Sequence, residues 1–371
     1  MALPQGINFS NDFGDMMNTY KQLKNELLEN ARAHRIPIDV MFELTARCNL
    51  NCKMCYIHDL DHVKARENEL STEQWKRIFD DAYEGGMLYA ALSGGECLLR
   101  NDFKELYLYL YQRGIHIRVN TNASLLTDDF VQFFRTYKPE VIQISLYGTN
   151  DEEYSLATGV SVFEKVAHAI NALRESKINY KIAITPSLES KTFFKRIIDY
   201  CIEHQYPVQI SQLFLSPRDE KNSAGNQLKI DEICEYLVYY SDAKGRKLKP
   251  ISVDSLPQPG TCGEHLAEKV HCTAAQNRAH VDWKGIMHPC VAMPTVGRNL
   301  LEIDFQKAWS EICDEMDQIS YPSECSNCVY KQVCKPCYAG RCVNGNWSEC
   351  NRFTCELVRK KVSLGLLTLD V

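Results

Sequence analysis

Between residues 38 and 217 short apolar runs alternate with longer stretches of helical periodicity. The runs at 38–45, 88–93, 115–121, 140–147, 180–186 and 208–215 predict strands. The stretches at 72–84, 102–112, 128–136, 162–175 and 191–204 bring apolar side chains back every three or four residues and predict helices. Ser71 followed by Gln74 predicts a capping box at the first of these, because each side chain ties down a backbone amide that the helix leaves free. Strict strand-then-helix alternation predicts a parallel sheet with right-handed crossovers. Six such units fit an α/β fold, a partial (β/α)6 TIM-like barrel.

The flanks read differently. Residues 1–37 hold a polar start and then a helix from about Asp15 to Ala33, with Met16, Tyr20, Leu23, Leu27 and Ala31 on one stripe. This helix covers the barrel, unless the stripe docks a peptide. Residues 218–261 form a polar bridge, with one short helix (Ile230 to Tyr240) and a linker ending at Pro257-Gln258-Pro259-Gly260. Residues 262–371 make a small cysteine-rich domain.

Parallel strands covered on both faces usually read as continuous apolar runs. Here polar residues recur on one parity: Glu43; Arg118, Asn120 and Asn122; Gln143 and Ser145; Lys181; Gln209 and Ser211. Pointing inward, they predict a polar lumen that holds ligand. The competing reading is an ion-pair network, with Glu43 meeting Arg118 or Lys181. Both hold if the lower residues are structural and those near the strand C-termini touch ligand.

The chemistry concentrates just after the first strand, in Thr45-Ala46-Arg47-Cys48-Asn49-Leu50-Asn51-Cys52-Lys53-Met54-Cys55-Tyr56. Cys48, Cys52 and Cys55 stand at C-x3-C-x2-C spacing. Soft thiolates select iron–sulfur clusters, zinc or Cu(I). A closed zinc site needs a fourth ligand, and His58 is the local candidate. An odd ligand count favours a cluster with one iron left open to bind something else. About forty residues on, the second strand ends in Ala91-Leu92-Ser93-Gly94-Gly95-Glu96.

The 371 residues carry a net charge of −6 and no basic patch, which argues against nucleic acid as a partner. The first residues lack the basic start and apolar core of a signal peptide, and no apolar run approaches a membrane span. Seventeen cysteines without a secretion signal point to metal or cluster ligation in a reducing, cytoplasmic setting rather than to disulfides.

The three-cysteine loop after strand 1 and the Gly-Gly-Glu turn after strand 2 resemble those of the radical S-adenosylmethionine (SAM) enzymes. The resemblance implies that Cys48, Cys52 and Cys55 hold a [4Fe–4S] cluster whose open iron chelates SAM. It also implies SAM contacts from Gly94, Gly95 and Glu96, from Asn122 after strand 3, and from Ser145 near the end of strand 4. Met54 would lie against the adenine. Thr158-Gly159 and Phe163-Glu164-Lys165-Val166 match the family's fourth loop and helix. Thr158 replaces a frequent arginine there, and Cys97 replaces the usual proline after Gly-Gly-Glu.

The C-terminal cysteines resemble the SPASM extension of this family, which carries two auxiliary [4Fe–4S] clusters. Cys272, Gly285 and Cys290 fit its first half; Cys325-x2-Cys328-x5-Cys334-x2-Cys337 and Cys355 fit the second with Cys337 one residue early. By the family's interleaving, Cys262, Cys272, Cys290 and Cys337 serve one cluster, with Cys342 as rival to Cys337. Cys325, Cys328, Cys334 and Cys355 serve the other, with Cys350 as rival to Cys355. Cys201, Cys234 and Cys313 fall in predicted helices and read as ordinary buried thiols. Zinc remains the alternative for the whole array.

The resemblance thus implies three [4Fe–4S] clusters, bound SAM and an electron donor such as flavodoxin or ferredoxin. It implies reductive cleavage of SAM to a 5′-deoxyadenosyl radical that takes hydrogen from a substrate. SPASM-bearing relatives mostly act on ribosomally made peptides, and the leading expectation is such a substrate, with a separate leader-recognition protein as partner. Val291 after Cys290 replaces the aspartate typical of sulfatase-maturing members and counts against that activity. The alternatives are a small-molecule substrate such as a sugar or tetrapyrrole precursor, anchored by Arg118 and Lys181, and a non-enzymatic zinc- or cluster-binding regulator.

Overall fold

The computed structural model describes residues 22–57, 62–211, 228–250, 272–319, 325, 328–330, 333, 334 and 351–367. Six parallel strands run side by side in chain order: β1 (Asp39–Glu43), β2 (Tyr89–Ser93), β3 (His116–Thr121), β4 (Val141–Ser145), β5 (Tyr180–Ile184) and β6 (Val208–Ile210). All six stand where the apolar runs predict them; the part of the last run beyond Ser211 lies outside the described residues. Three more strands join on the other side of β1. Strand β7 (Arg278–Val281) pairs with β1 in parallel, and β8 (Ile286–His288) and β9 (Arg298–Asn299) continue antiparallel. The segment behind the polar bridge therefore extends the barrel sheet through β7. Its strands are two to four residues long, too short to show a period in sequence.

The helices are α1 (described over 22–33), α2 (His62–Asn68), α3 (Thr72–Glu84), α4 (Phe103–Tyr111), α5 (Asp128–Thr136), α6 (Asp151–Thr158), α7 (Phe163–Glu175), α8 (Phe194–Glu203), α9 (Ile230–Ala243), α10 (Phe305–Asp317) and α11 (Arg352–Ser363). The capping box at α3 forms: Ser71 Oγ accepts from Gln74 N, and Gln74 Oε1 accepts from Ser71 N. Helix α6, absent from the periodicity, is set by local signals instead. Asn150 caps its start, three acidic residues fill its first turn, and Gly159 (φ 72°) ends it in the left-handed conformation.

The outward parity of the strands builds the core. Val40 and Phe42 of β1 are fully buried, and Phe42 meets Trp75 and Phe79 of α3 edge-on, the latter at 4.9 Å between ring centroids. The α1 stripe differs from expectation. Leu23 is 64% exposed and Leu27 38%; Ala31 of the stripe packs on Ile38 and Tyr89, and Leu28, outside the stripe, joins it there.

The inward parity is polar as expected, but its pairing is not. Arg118 pairs with Asp39, which also meets Arg278 Nε at 3.1 Å. Lys181 donates to Gln209 Oε1 at 3.0 Å. Glu43 lies 3.1 Å from His280 Nε2 on β7, close enough to pair electrostatically though without hydrogen-bond alignment. Strand β7 supplies His280 beside Glu43 and a second cation for Asp39, which the barrel sequence alone could not name.

Candidate active site

At the C-terminal ends of the strands a cavity of about 340 Å³ opens between the cysteine loop and the barrel lumen. Cys48, Cys52, Met54, Cys55, Gly94, Gly95, Asn122 and Ser145 all line it, together with Asn120, Gln143, Gln209 and Ser211. Glu96 does not. Its fully buried carboxylate accepts from Thr121 Oγ1, Asn122 N and Leu98 N, so it braces the β2 and β3 turns behind the cavity wall.

The loop is held by its entry and its middle. Arg47 makes a forked pair with Glu69 at 2.8 and 2.9 Å, and Thr45 Oγ1 donates to the same carboxylate. Gly95 N donates to Thr45 O and Glu96 N to Arg47 O, each at 2.8 Å. A Cβ at Gly94 would stand 2.4 Å from Thr45 O, and one at Gly95 2.4 Å from Arg47 O. The two glycines are thus required for the turn to lie against the cysteine loop, whatever else approaches them. Farther along, Asn51 N donates to Thr158 O at 2.8 Å. Thr158 spends its hydroxyl on Tyr154 O and Val160 O, which makes it a helix-end anchor for the loop.

Burial pushes the Cys48 thiol up to about 12, with Leu50 N and Asn122 donating to its sulfur in partial opposition. Cys52 is likewise raised by burial, with a Tyr147 hydrogen bond opposing. Without a ligand these are neutral thiols, and a metal must displace their protons. Among the described residues no three His, Cys, Asp or Glu side chains converge as ligands of a single ion would. Cysteines of a cubane each bind a different iron, so three of them leave the fourth iron open.

The C-terminal cysteines are placed only in part. Cys272 precedes β7 and Cys290 follows β8, with Gly285 (φ 81°) in the turn between these strands. The turn's Trp283 packs on Ala46 and Ile57 of the cysteine loop. Cys325, Cys328 and Cys334 are half-buried, and Cys355 lies in the first turn of α11. His58, Cys262, Cys337 and the rivals Cys342 and Cys350 lie outside the described residues. No disulfide joins the described cysteines. Cys201 (α8), Cys234 (α9) and Cys313 (α10) are buried helix thiols.

Tyr56, Tyr147 and Thr185 also line the cavity. The alternation in β4 and β5, carried past their ends, puts Tyr147 and Thr185 on the lumen parity.

Residues 42–189 match the family model of the radical SAM superfamily. These residues form a radical SAM domain, and the fold of the chain is that of the solved structure of SuiB. It is 26% identical over 323 residues to an AdoMet-dependent heme synthase of Methanosarcina barkeri, across 81% of this chain and 90% of that protein. It is 24% identical to the mycofactocin maturase MftC of Mycolicibacterium smegmatis, across 83% and 80%. Its structure overlays Streptococcus suis SuiB bound to its precursor peptide SuiA with a TM-score of 0.70, at 18% identity, across 91% of this chain and 81% of that one. A [4Fe–4S] cluster and SAM are the cofactors of this family. No described helix is long and apolar enough to cross a membrane.

Proposed function

We propose that this enzyme modifies a ribosomally made peptide. Cys48, Cys52 and Cys55 hold the SAM-binding cluster, and the cavity beside them receives SAM and the reacting segment of the substrate. A bound cluster and SAM would supply hydrogen-abstracting radical chemistry, given one electron from a donor such as flavodoxin or ferredoxin. The chain's own part is position and exclusion of water. Met54 and Ser145 offer an apolar and a hydroxyl contact beside the thiols. Gly94 and Gly95 hold the floor of the cysteine loop. Cys262, Cys272, Cys290 and Cys337 ligate one auxiliary cluster and Cys325, Cys328, Cys334 and Cys355 the other, in a reducing cytoplasm.

The carrying observation is the cavity lining. Beside the thiols and the apolar Leu50, Met54, Ile57 and Ala183, its polar described residues are neutral donors and acceptors, among them Asn120, Gln143, Thr185, Gln209 and Ser211. Such a set suits the amides of an extended peptide and offers no cation to a polycarboxylate. The similarity to MftC and the SuiB fold support this reading. A tetrapyrrole substrate is the second reading, favoured by the near full-length similarity to the heme synthase. Against it, Arg118 is committed to Asp39 and Lys181 to Gln209.

The test is co-expression with the short reading frames beside its gene, followed by intact-mass analysis of the encoded peptides. In parallel, iron coproporphyrin III is incubated with reconstituted enzyme, SAM and dithionite. A mass change in one peptide, lost in the Cys48→Ala, Cys52→Ala, Cys55→Ala variant, is expected. Decarboxylation of the porphyrin's propionates would overturn the peptide reading.

A further inference from the structure

The turn after β3 carries an unusual backbone. Ala123 has φ 61°, a left-handed conformation that a residue with a Cβ enters only at a cost. The conformation is fixed by Thr121 Oγ1, which accepts from Ala123 N at 2.9 Å. It turns Asn122 and Ser124 toward each other: Asn122 Oδ1 accepts from Ser124 N at 2.9 Å and from Ser124 Oγ at 2.6 Å.

With its oxygen committed, the Asn122 amide has one orientation. Its Nδ2 donates to Asn49 Oδ1 at 3.0 Å and reaches Cys48 Sγ at 3.7 Å, within range of the larger sulfur acceptor. Asn49 Nδ2 closes the ring by donating to Ser124 Oγ at 2.8 Å. A flipped amide would set oxygen against oxygen at Asn49 and donor against donor at Ser124 N. Both Nδ2 hydrogens and both oxygen lone pairs are used, so the side chain has no group left for another ligand.

We infer that Asn122 acts on the cluster and not on SAM: it is a positioning residue whose amide donates to the Cys48 thiolate, while Asn49 and Ser124 fix its direction. The inference rests on the ligation proposed for Cys48, Cys52 and Cys55, and not on the identity of the substrate. A donor to a ligand sulfur draws off negative charge and stabilises the reduced, more negative cluster, which raises its reduction potential. Asn122 thus makes the first electron easier to accept, in a site whose other contacts are uncharged.

The test is an EPR-monitored redox titration of the reconstituted full-length chain. It follows the reduced-cluster signal that the Cys48→Ala, Cys52→Ala, Cys55→Ala variant lacks. Asn122→Leu is expected to move the midpoint to a more negative potential, while SAM binding, measured by equilibrium dialysis, stays within threefold. An unchanged midpoint overturns the inference. So does weaker SAM binding beyond threefold, which would put the amide on SAM. If Asn122→Leu loses its iron, Ser124→Ala decides, because it keeps Asn122 but removes the hydroxyl that donates to Asn122 Oδ1 and accepts from Asn49 Nδ2, loosening the ring that holds the amide on Cys48. A smaller shift of the same sign is then expected, and no shift overturns the inference. A parent chain with no cluster at these cysteines defeats the ligand assignment itself, which iron analysis shows separately.

Discussion

Two regions of the lumen are polar for opposite reasons. Along the seam between β1 and β7 the inward side chains are ionisable and face one another: Asp39 with Arg118 and Arg278, Glu43 with His280, and Asp282 with His288. Glu43 and His280 are almost wholly buried, so neither can reach a ligand. At the mouth, the inward side chains are neutral amides and hydroxyls around three thiols, and they face a cavity. A buried charge must be paired to be tolerated, whereas a neutral donor at a strand end can wait for a partner. Inward polarity alone therefore does not mark a site. Inward polarity that faces open space does.

The comparison breaks most sharply at the mouth. Replacing Cys48, Cys52 and Cys55 together by Ala is expected to abolish 5′-deoxyadenosine formation and remove about four irons per chain, the content of one cubane. Deoxyadenosine still formed by that variant would refute the site. The seam should behave in the opposite way. Glu43→Gln puts a neutral amide beside the buried His280 and is expected to lower unfolding free energy by up to about 3 kcal/mol, the cost of leaving a buried polar group unsatisfied. Per folded molecule, SAM cleavage should persist. A urea titration alongside the deoxyadenosine assay checks both, and a stable but inactive Glu43→Gln would move Glu43 from the seam to the site.

Most of the barrel and the cysteine loop was legible in the sequence because local rules act there unopposed. The α3 capping box and the apolar runs name their elements directly, and the polar parity of Asn120, Gln143, Ser145 and Gln209 marks the cavity wall. Partnership across the sheet was not legible. The mates of Glu43 and Arg118 depend on β7 and on the register of β1, and neither leaves a local signal. Glu96 misled for a related reason: a carboxylate beside two glycines looks available until Thr121, Asn122 and Leu98 are seen to occupy it. The α1 stripe is buried at Ala31, but Leu28 joins it against the Tyr89 surface while Leu23 and Leu27 face outward.

Between mouth and seam stand the glycines of the turn after β2. Gly95→Ala puts a Cβ within 2.4 Å of Arg47 O and 2.6 Å of Ala46 O, both backbone atoms that cannot swing away. The expected loss is about 2 kcal/mol, in the range of overpacked cores. Because the displaced segment carries Cys48, iron retention after gel filtration should fall as well. Full iron content in a destabilised Gly95→Ala would show that the loop and the turn move independently.

The smallest effect separates site thiols from core thiols. Burial pushes Cys201, wholly inside α8, up to about 12 from an ordinary value near 9, as it does Cys48. The native state favours the neutral thiol, so its contribution is intact below about pH 9 and is lost as pH rises from there toward 12. The loss is about 1 kcal/mol per pH unit for one proton. Cys201→Ala removes that slope while adding a pH-independent cavity cost. Its urea midpoint should therefore fall less steeply than the parent's between pH 9 and 10. Cys48 should show no such slope once iron has taken its proton. Parallel slopes for parent and Cys201→Ala would mean that the core thiol titrates as freely as one in water, and burial would no longer distinguish the two classes.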